Sequence, residues 1–425
     1  MYPPTISSEQ GKSGPQNEQN ASFRRNGLSE SKKLRSIPMS APDITDRDRE
    51  AVAAVLRTPY LSMGPEIEAF EAAVARYAGV QHAVAVNSGT AGLHLCVRAL
   101  GIGAGDYVIT TPFSFVASAN ILLYERAIPV FVDVDPETGN IDPAKVAEAV
   151  RAIHANEKEA NEWLPRKGAD PGGRLKAILP VDVFGQPADF DRLGEVASEH
   201  GLLILEDSCE AIGARYKGKL AGTFGQAGVF AFYPNKQMTT AEGGVVVTDD
   251  DAIDDMVRAL RNQGRAPGDT WLQHTYLGYN YRLSELSAAL GRSQMERLDT
   301  LLDNRERVAG WYGERLAKLQ GVEVPRVIES TTRMSWFVYV IRLAEGLDQS
   351  SVSEALAQRG VPSRPYFAPI HLQPYFKERF GYREGDFPIT EDLGARSLAL
   401  PFSGVMPEED VEYVCEAIEA VVRQN

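Results

Sequence analysis

The sequence has little of what several large function classes require. Acidic residues outnumber basic ones, 58 to 44, for a formal net charge of −14 over 425 residues. A broad basic face that neutralises a nucleic-acid backbone is therefore not expected, although a small anionic substrate needs only a local positive site. Cysteine is scarce: Cys96, Cys209 and Cys415 are scattered and form no CxxC pair. That fits a reducing compartment, the cytoplasm, and reads each thiol as a small buried hydrophobe. Six equally scattered histidines form no HExxH, so no metal site is expected. No apolar run approaches the roughly 18 residues that suggest a membrane span.

What is present reads as an ordinary soluble globular protein, 44% hydrophobic and 24% charged. Its length suits two domains, expected at 38–285 and 286–425. Residues 1–37 are rich in Ser, Gln, Asn, Arg and Lys without hydrophobic periodicity, and read as a disordered N-terminal extension. With no apolar h-region they are not a secretory signal. Beyond Ile37, helical spacing is predicted over ITDRDREAVAAVLRT and EIEAFEAAVARYAG, followed by a short β run, Ala83–Val86. Strand and helix then alternate as far as LLILEDSCEAIGA, interrupted by a polar insertion at 154–174 that reads as a surface loop. A helical pattern of more than 30 residues from GYNYRLSELS to RLAKL leads into a small α+β region. This grammar predicts an α/β fold with a mainly parallel central sheet flanked by helices, whose ligands sit at the strands' carboxyl ends.

Three features stand out along it. The turn Asn87–Gly92 joins a strand to an apolar helix and presents free backbone N–H groups at the helix N-terminus, an anion cradle or a packing turn. It lacks the lysine of a Walker A loop and the spacing of a dinucleotide fingerprint. Asp207 follows four apolar residues at a strand's mouth, where a carboxylate is costly unless it caps a helix or meets a cation. Lys236 stands between an aromatic run and Gly243-Gly244, an ammonium where the pattern wants apolar residues. Pyridoxal 5′-phosphate needs all three: amides for its phosphate, a carboxylate that keeps its ring nitrogen protonated, and a lysine for its aldehyde.

The motifs GPEIEAFE, NSGTAGLHL, EDSCEAIGA, FYPNKQMTTAEGG, GYNYRLSELSAALGRSQMERLD and SRPYFAPIHLQPYF occur in this order. Through them the chain resembles, from about Ile37 to its end, the DegT/DnrJ/EryC1/StrS family of sugar aminotransferases within the fold type I pyridoxal-phosphate enzymes. The resemblance implies Lys236 as the Schiff-base and catalytic lysine and Asp207 as partner of the pyridine nitrogen. It implies Gly89 and Thr90 as phosphate-binding backbone, Phe115 as the stacking aromatic, and Glu210 beside the cofactor. Asn280 matches an asparagine that reaches the cofactor phosphate of a neighbouring subunit, which implies a homodimer with shared active sites. Tyr366 and His371, in the aromatic loop, are candidates for substrate contact or for packing.

One position departs from the family. The serine usual five residues before the lysine is Ala231 here, which removes a hydrogen bond to phosphate of about 1.5–3 kcal/mol. Thr239, Thr240 or water are the expected substitutes. The activity implied is amino transfer from an amino acid, L-glutamate, to a nucleotide-linked keto-sugar in amino-sugar biosynthesis, without nucleic-acid or membrane partners. Two rivals are a sugar dehydratase of the same family, a branch in which histidine replaces the lysine, and a non-catalytic regulatory protein on a retained fold.

Overall fold

In the computed structural model, which describes residues 35–155 and 159–424, the apolar runs become strands in chain order. They are β1 (His82–Val86), β2 (Tyr107–Thr110), β3 (Ile128–Phe131), β4 (Leu175–Leu179) and β5 (Leu203–Asp207), then the short β6 (Arg215–Tyr216) and β7 (Lys219–Leu220). The series continues with β8 (Ala227–Ala231), β9 (Gly244–Thr248), β10 (Val322–Glu323), β11 (Thr331–Arg333), β12 (Tyr339–Leu343), β13 (Arg364–Pro365) and β14 (Ser397–Leu400). The extension expected at 1–37 lies, but for its last three residues, outside the described residues, and Ser36–Asn425 is one compact unit.

Seven strands make the central sheet in the order β1-β9-β8-β5-β4-β2-β3. All are parallel except β9, which runs antiparallel between β1 and β8. Near-continuous burial of these strands follows from helices on both faces. Val84, Val108, Leu205, Val229 and Val246 are fully buried, each stabilising the fold by roughly 1.5–3 kcal/mol. A four-stranded sheet, β10-β12-β14-β13, carries the C-terminal α+β region, and β11-β6-β7 form a small third sheet. Among the described residues no helix is long and apolar enough to cross a membrane.

Local signals explain the helix ends. Thr45 and Asp48 form a reciprocal capping box on Asp46–Val55. Pro65–Ala78 opens on proline and closes on Gly79 in the left-handed region; its free N-terminal amides Gly64, Glu66 and Ile67 donate to the buried Glu285 carboxylate.

Two expectations need correction. The long helical pattern is two helices, Glu285–Met295 and Leu298–Leu316. At the break, Gln294 and Arg297 turn onto Asp43 and Asp48, tertiary contacts that periodicity does not register. The polar insertion contains a helical turn, Ala160–Trp163, and Trp163 packs into the core formed by Tyr107, Ile109 and Phe131.

Candidate active site

The site lies at the carboxyl ends of the central strands and is assembled by three turns. At the first, β1 runs into the helix Gly89–Ala99. The Ser88 hydroxyl accepts from Ala91 N–H, while the amides of Gly89 and Thr90 have no acceptor among the described residues. Gly89 is a glycine for want of space: a Cβ there would come within 2.7 Å of the Ala231 Cβ and 2.8 Å of the Cys209 Sγ. Gly244, opening β9, is bound as tightly, since its Cβ would lie 2.8 Å from Gly89 N. The Gly-Gly pair thus backs the cradle at its second glycine.

At the second turn, β5 ends on Asp207. The carboxylate is buried, accepting from Ser118 Oγ at 2.6 Å and from Cys209 N–H at 3.2 Å. Ser118 is in turn hydrogen-bonded to Ser114 at 2.9 Å. Two donors leave lone pairs free on this carboxylate for a protonated ring nitrogen. Phe115, on the turn that delivers Ser118, is 63% exposed. Three residues after Asp207, Glu210 is buried and its pKa is raised, chiefly by burial, with Lys236 opposing. Its Oε2 accepts from Phe184 N–H at 3.0 Å. Phe184 holds a left-handed backbone, φ 59°, a cost for a non-glycine residue that aims this amide at the carboxyl.

The third turn links β8 to β9 and carries Lys236. Its Nζ is 3.6 Å from Glu210 Oε1, beyond hydrogen-bond range, and 3.7 Å from the centroid of the Phe337 ring. Gln237 fixes the loop by donating to Glu210 O and to Ser335 O and Oγ.

The structure brings Gly89, Asp207, Glu210 and Lys236 together through Cys209, Ala231 and Phe337, and Phe115 lies on the turn whose Ser118 bonds Asp207. Tyr366 joins them, its ring packed against Phe184 and Phe337. Asn280 is exposed; its carbonyl accepts from Asn87 at 3.4 Å, and its side chain makes no hydrogen bond among the described residues. His371 is fully buried, bonded to Glu391 at 2.9 Å and edge-on to Phe387, while its Nδ1 has no partner among the described residues. Thr239 and Thr240 do not substitute for the missing serine, since their hydroxyls already donate to Phe232 O and Glu242 O.

Sequence reasoning missed Ser114, Ser118, Phe337 and Arg305. Arg305, on Leu298–Leu316, is buried and donates to Lys236 O at 2.7 Å. Its one sequence sign is a basic residue inside an apolar helical stripe, between Leu301, Leu302 and Val308.

These residues fit pyridoxal 5′-phosphate. Two unsatisfied amides at a helix N-terminus, approached where no Cβ fits, suit a phosphate. A buried carboxylate with lone pairs to spare suits a cationic ring nitrogen, and a lysine amine that meets, among the described residues, an aromatic face and a carboxyl beyond hydrogen-bond range is available for an aldehyde.

The model of the DegT/DnrJ/EryC1/StrS aminotransferase family matches residues 42–419. GDP-perosamine synthase of Caulobacter vibrioides is 38% identical over 92% of this chain and 99% of its own. Spore coat polysaccharide biosynthesis protein SpsC of Bacillus subtilis is 35% identical over 91% and 97%. Among solved structures, Helicobacter pylori PseC, an aminotransferase of pseudoaminic acid biosynthesis, superimposes with a TM-score of 0.83 at 27% identity, covering 92% of this chain and all of that one. The chain therefore belongs to the DegT/DnrJ/EryC1/StrS aminotransferase family, built on the fold type I scaffold with pyridoxal 5′-phosphate as cofactor.

Proposed function

We propose that this chain transfers the amino group of an amino acid, L-glutamate, to the ketone of a nucleotide-linked sugar, in the cytoplasm, as a step in amino-sugar biosynthesis. The observation that carries the reading is the environment of Lys236, poised over Phe337 within reach of Glu210. The dehydratase reading lacks its histidine, and the regulatory one leaves this constellation without a purpose. The names of the Caulobacter and Bacillus relatives place amino-sugar and polysaccharide synthesis among their kin.

Bound pyridoxal phosphate supplies the amino-group carrier and electron sink. The chain's residues do the rest. Gly89 and Thr90 amides anchor the phosphate end, and Asp207, oriented by Ser118, holds the proton on the ring nitrogen. Lys236 Nζ moves the proton between the substrate carbon and the carrier in both half-reactions. One site that takes donor and acceptor in turn gives ping-pong kinetics. Tyr366 lines the approach to Lys236 and contacts the sugar.

The working unit is a homodimer. Asn280 ends an exposed apolar loop on which Trp271, Leu272 and Leu277 are 77%, 83% and 78% exposed, a patch of the kind that marks a protein interface. Across that interface Asn280 reaches the partner's cofactor phosphate.

The test is a panel of nucleotide-linked 3-keto and 4-keto sugars with glutamate, read by mass spectrometry of the aminated product, GDP-linked sugars first. Lys236→Ala is expected to abolish turnover while the protein stays folded. A Lys236→Ala variant that still transaminates would sink the mechanism.

A further inference from the structure

The helix Leu298–Leu316 buries a stripe of Leu298, Leu301, Leu302, Val308 and Tyr312, and Arg305 falls inside it, 3% exposed. A buried cation is costly without a carboxylate, and no carboxylate among the described residues bonds this one. Burial alone lowers its pKa to about 10. Its partners are four main-chain carbonyls instead. Nη2 donates to Asn235 O at 3.1 Å and Lys236 O at 2.7 Å. Nη1 donates to Trp336 O at 3.2 Å and Phe337 O at 3.1 Å.

The pairing is informative because of what those carbonyls belong to. One pair sits on the loop that bears the reactive lysine. The other sits on the segment whose Phe337 ring faces the lysine Nζ at 3.7 Å. These segments are about 100 residues apart in sequence, so their register depends on long-range contacts: Gln237 supplies one, donating to Ser335 O and Oγ, and Arg305 bonds the carbonyls of Lys236 and Phe337 themselves. A planar fork of five donors spans two carbonyl pairs at once; an ammonium, a point charge, does not.

We propose that Arg305 is a positioning residue for amino transfer: it clamps the backbone of Lys236 to the backbone of Phe337, so that Lys236 Nζ is held in one place over the Phe337 ring through both half-reactions. The clamp touches neither substrate. It rests on the reading of Lys236 given above, and goes beyond it by assigning the lysine's reach to a residue of the linking helix.

The full-length protein tests this in four variants, Arg305→Lys, Phe337→Leu, the double variant, and Lys236→Ala as control. In the absence of cofactor, hydrogen exchange at the amides of Lys236 and Phe337 speeds up in Arg305→Lys, while β4 and β5 stay protected. With cofactor, the visible circular dichroism of the bound chromophore changes in both single variants. In Arg305→Lys, kcat per cofactor-loaded site falls about a hundredfold, the scale of a misplacement near 1 Å, with KM for both substrates unchanged. The double variant is no slower than the slower single one, because both changes break one register.

Wild-type exchange and wild-type turnover per loaded site in Arg305→Lys overturn the proposal, as do single effects that multiply in the double variant. A loss traced wholly to fewer folded or loaded molecules overturns it too, since that is all a structural staple would do. If Arg305→Lys does not fold, Phe337→Leu decides: unchanged exchange at Lys236 with unchanged dichroism and turnover refutes the clamp. Lys236→Ala separates the two levels. An active Lys236→Ala removes the reading of the site itself, whereas an inactive one beside a normal Arg305→Lys removes only the clamp.

Discussion

Ala231 faces the phosphate cradle across a gap that no Cβ at position 89 could enter, and neither nearby threonine has an O–H to spare. On the proposed reading, the cradle would hold its anion with amides and helix dipole, without help from either threonine hydroxyl. Restoring the hydroxyl with Ala231→Ser adds one charge-assisted hydrogen bond, and cofactor affinity is expected to rise about ten- to a hundredfold, measured by titrating cofactor-free protein. An unchanged dissociation constant would show that the phosphate lies elsewhere. At this scale much was legible in the sequence. Lys236, Asp207 and Gly89 each sit where a run of one residue type stops abruptly, a local signal. Phe337 and Ser118 carry no such signal, and Arg305 shows only a charge inside an apolar stripe, because what matters about all three is the residue they meet far along the chain. His371 shows the converse: the aromatic loop left both substrate contact and packing open for this histidine, and its burial is a tertiary fact that no local pattern announces.

The carboxyl edge of the central sheet gathers Asp182, Asp207 and Glu210 within one buried patch. Asp182 follows β4, accepts from Ser208 Oγ and Ala188 N–H, and its pKa is pushed up to about 7, by burial first and then by the two neighbouring acids. Folding thus favours its protonated form. The unfolded chain releases that proton near 3.8, the native chain near 7, so the native state binds more protons between those values. This contribution is fully present below the lower value and is lost as pH rises through the upper one, by at most about 1.4 kcal/mol per pH unit. Asp182→Asn is expected to flatten the fall in unfolding free energy between about pH 4 and 7, measured by guanidinium titration of cofactor-free protein; an identical slope would contradict the assignment. Elements as such were readable, since β5, the Lys236 loop and the helix Pro65–Ala78 carry their own caps, glycines and apolar runs. The break between Met295 and Leu298 was not, because Asp43 and Asp48 impose it from the other end of the chain.

For the molecule as a whole, the exposed loop ending at Asn280 is the proposed dimer interface. Leu277→Asp places a charge in the proposed interface, so the variant is expected to sediment as a monomer and to lose nearly all activity while its thermal unfolding stays cooperative. A fully active monomer would end the shared-site reading. Mixing Lys236→Ala and Asn280→Ala subunits gives the complementary check: if Asn280 serves the partner, hybrids hold one site free of both changes and regain activity that neither parent has. The parallel sheet was legible from alternating strands and helices, and its insertion of β9 between β1 and β8 was not, because strand order depends on pairings that no local pattern encodes.

That insertion has a consequence for how the protein is born. The cradle ends β1 and the lysine loop precedes β9, and the two become neighbours only when residues 82–86 pair with 244–248. Such a closure spans a long stretch of chain and is intrinsically slow. While that pairing is unformed the cradle and the lysine loop are apart, and the proposed cofactor site is incomplete. On that reading, pyridoxal phosphate is expected to be captured only after the central sheet closes, so that in refolding its visible absorbance rises no earlier than exchange protection of residues 82–86 and 244–248.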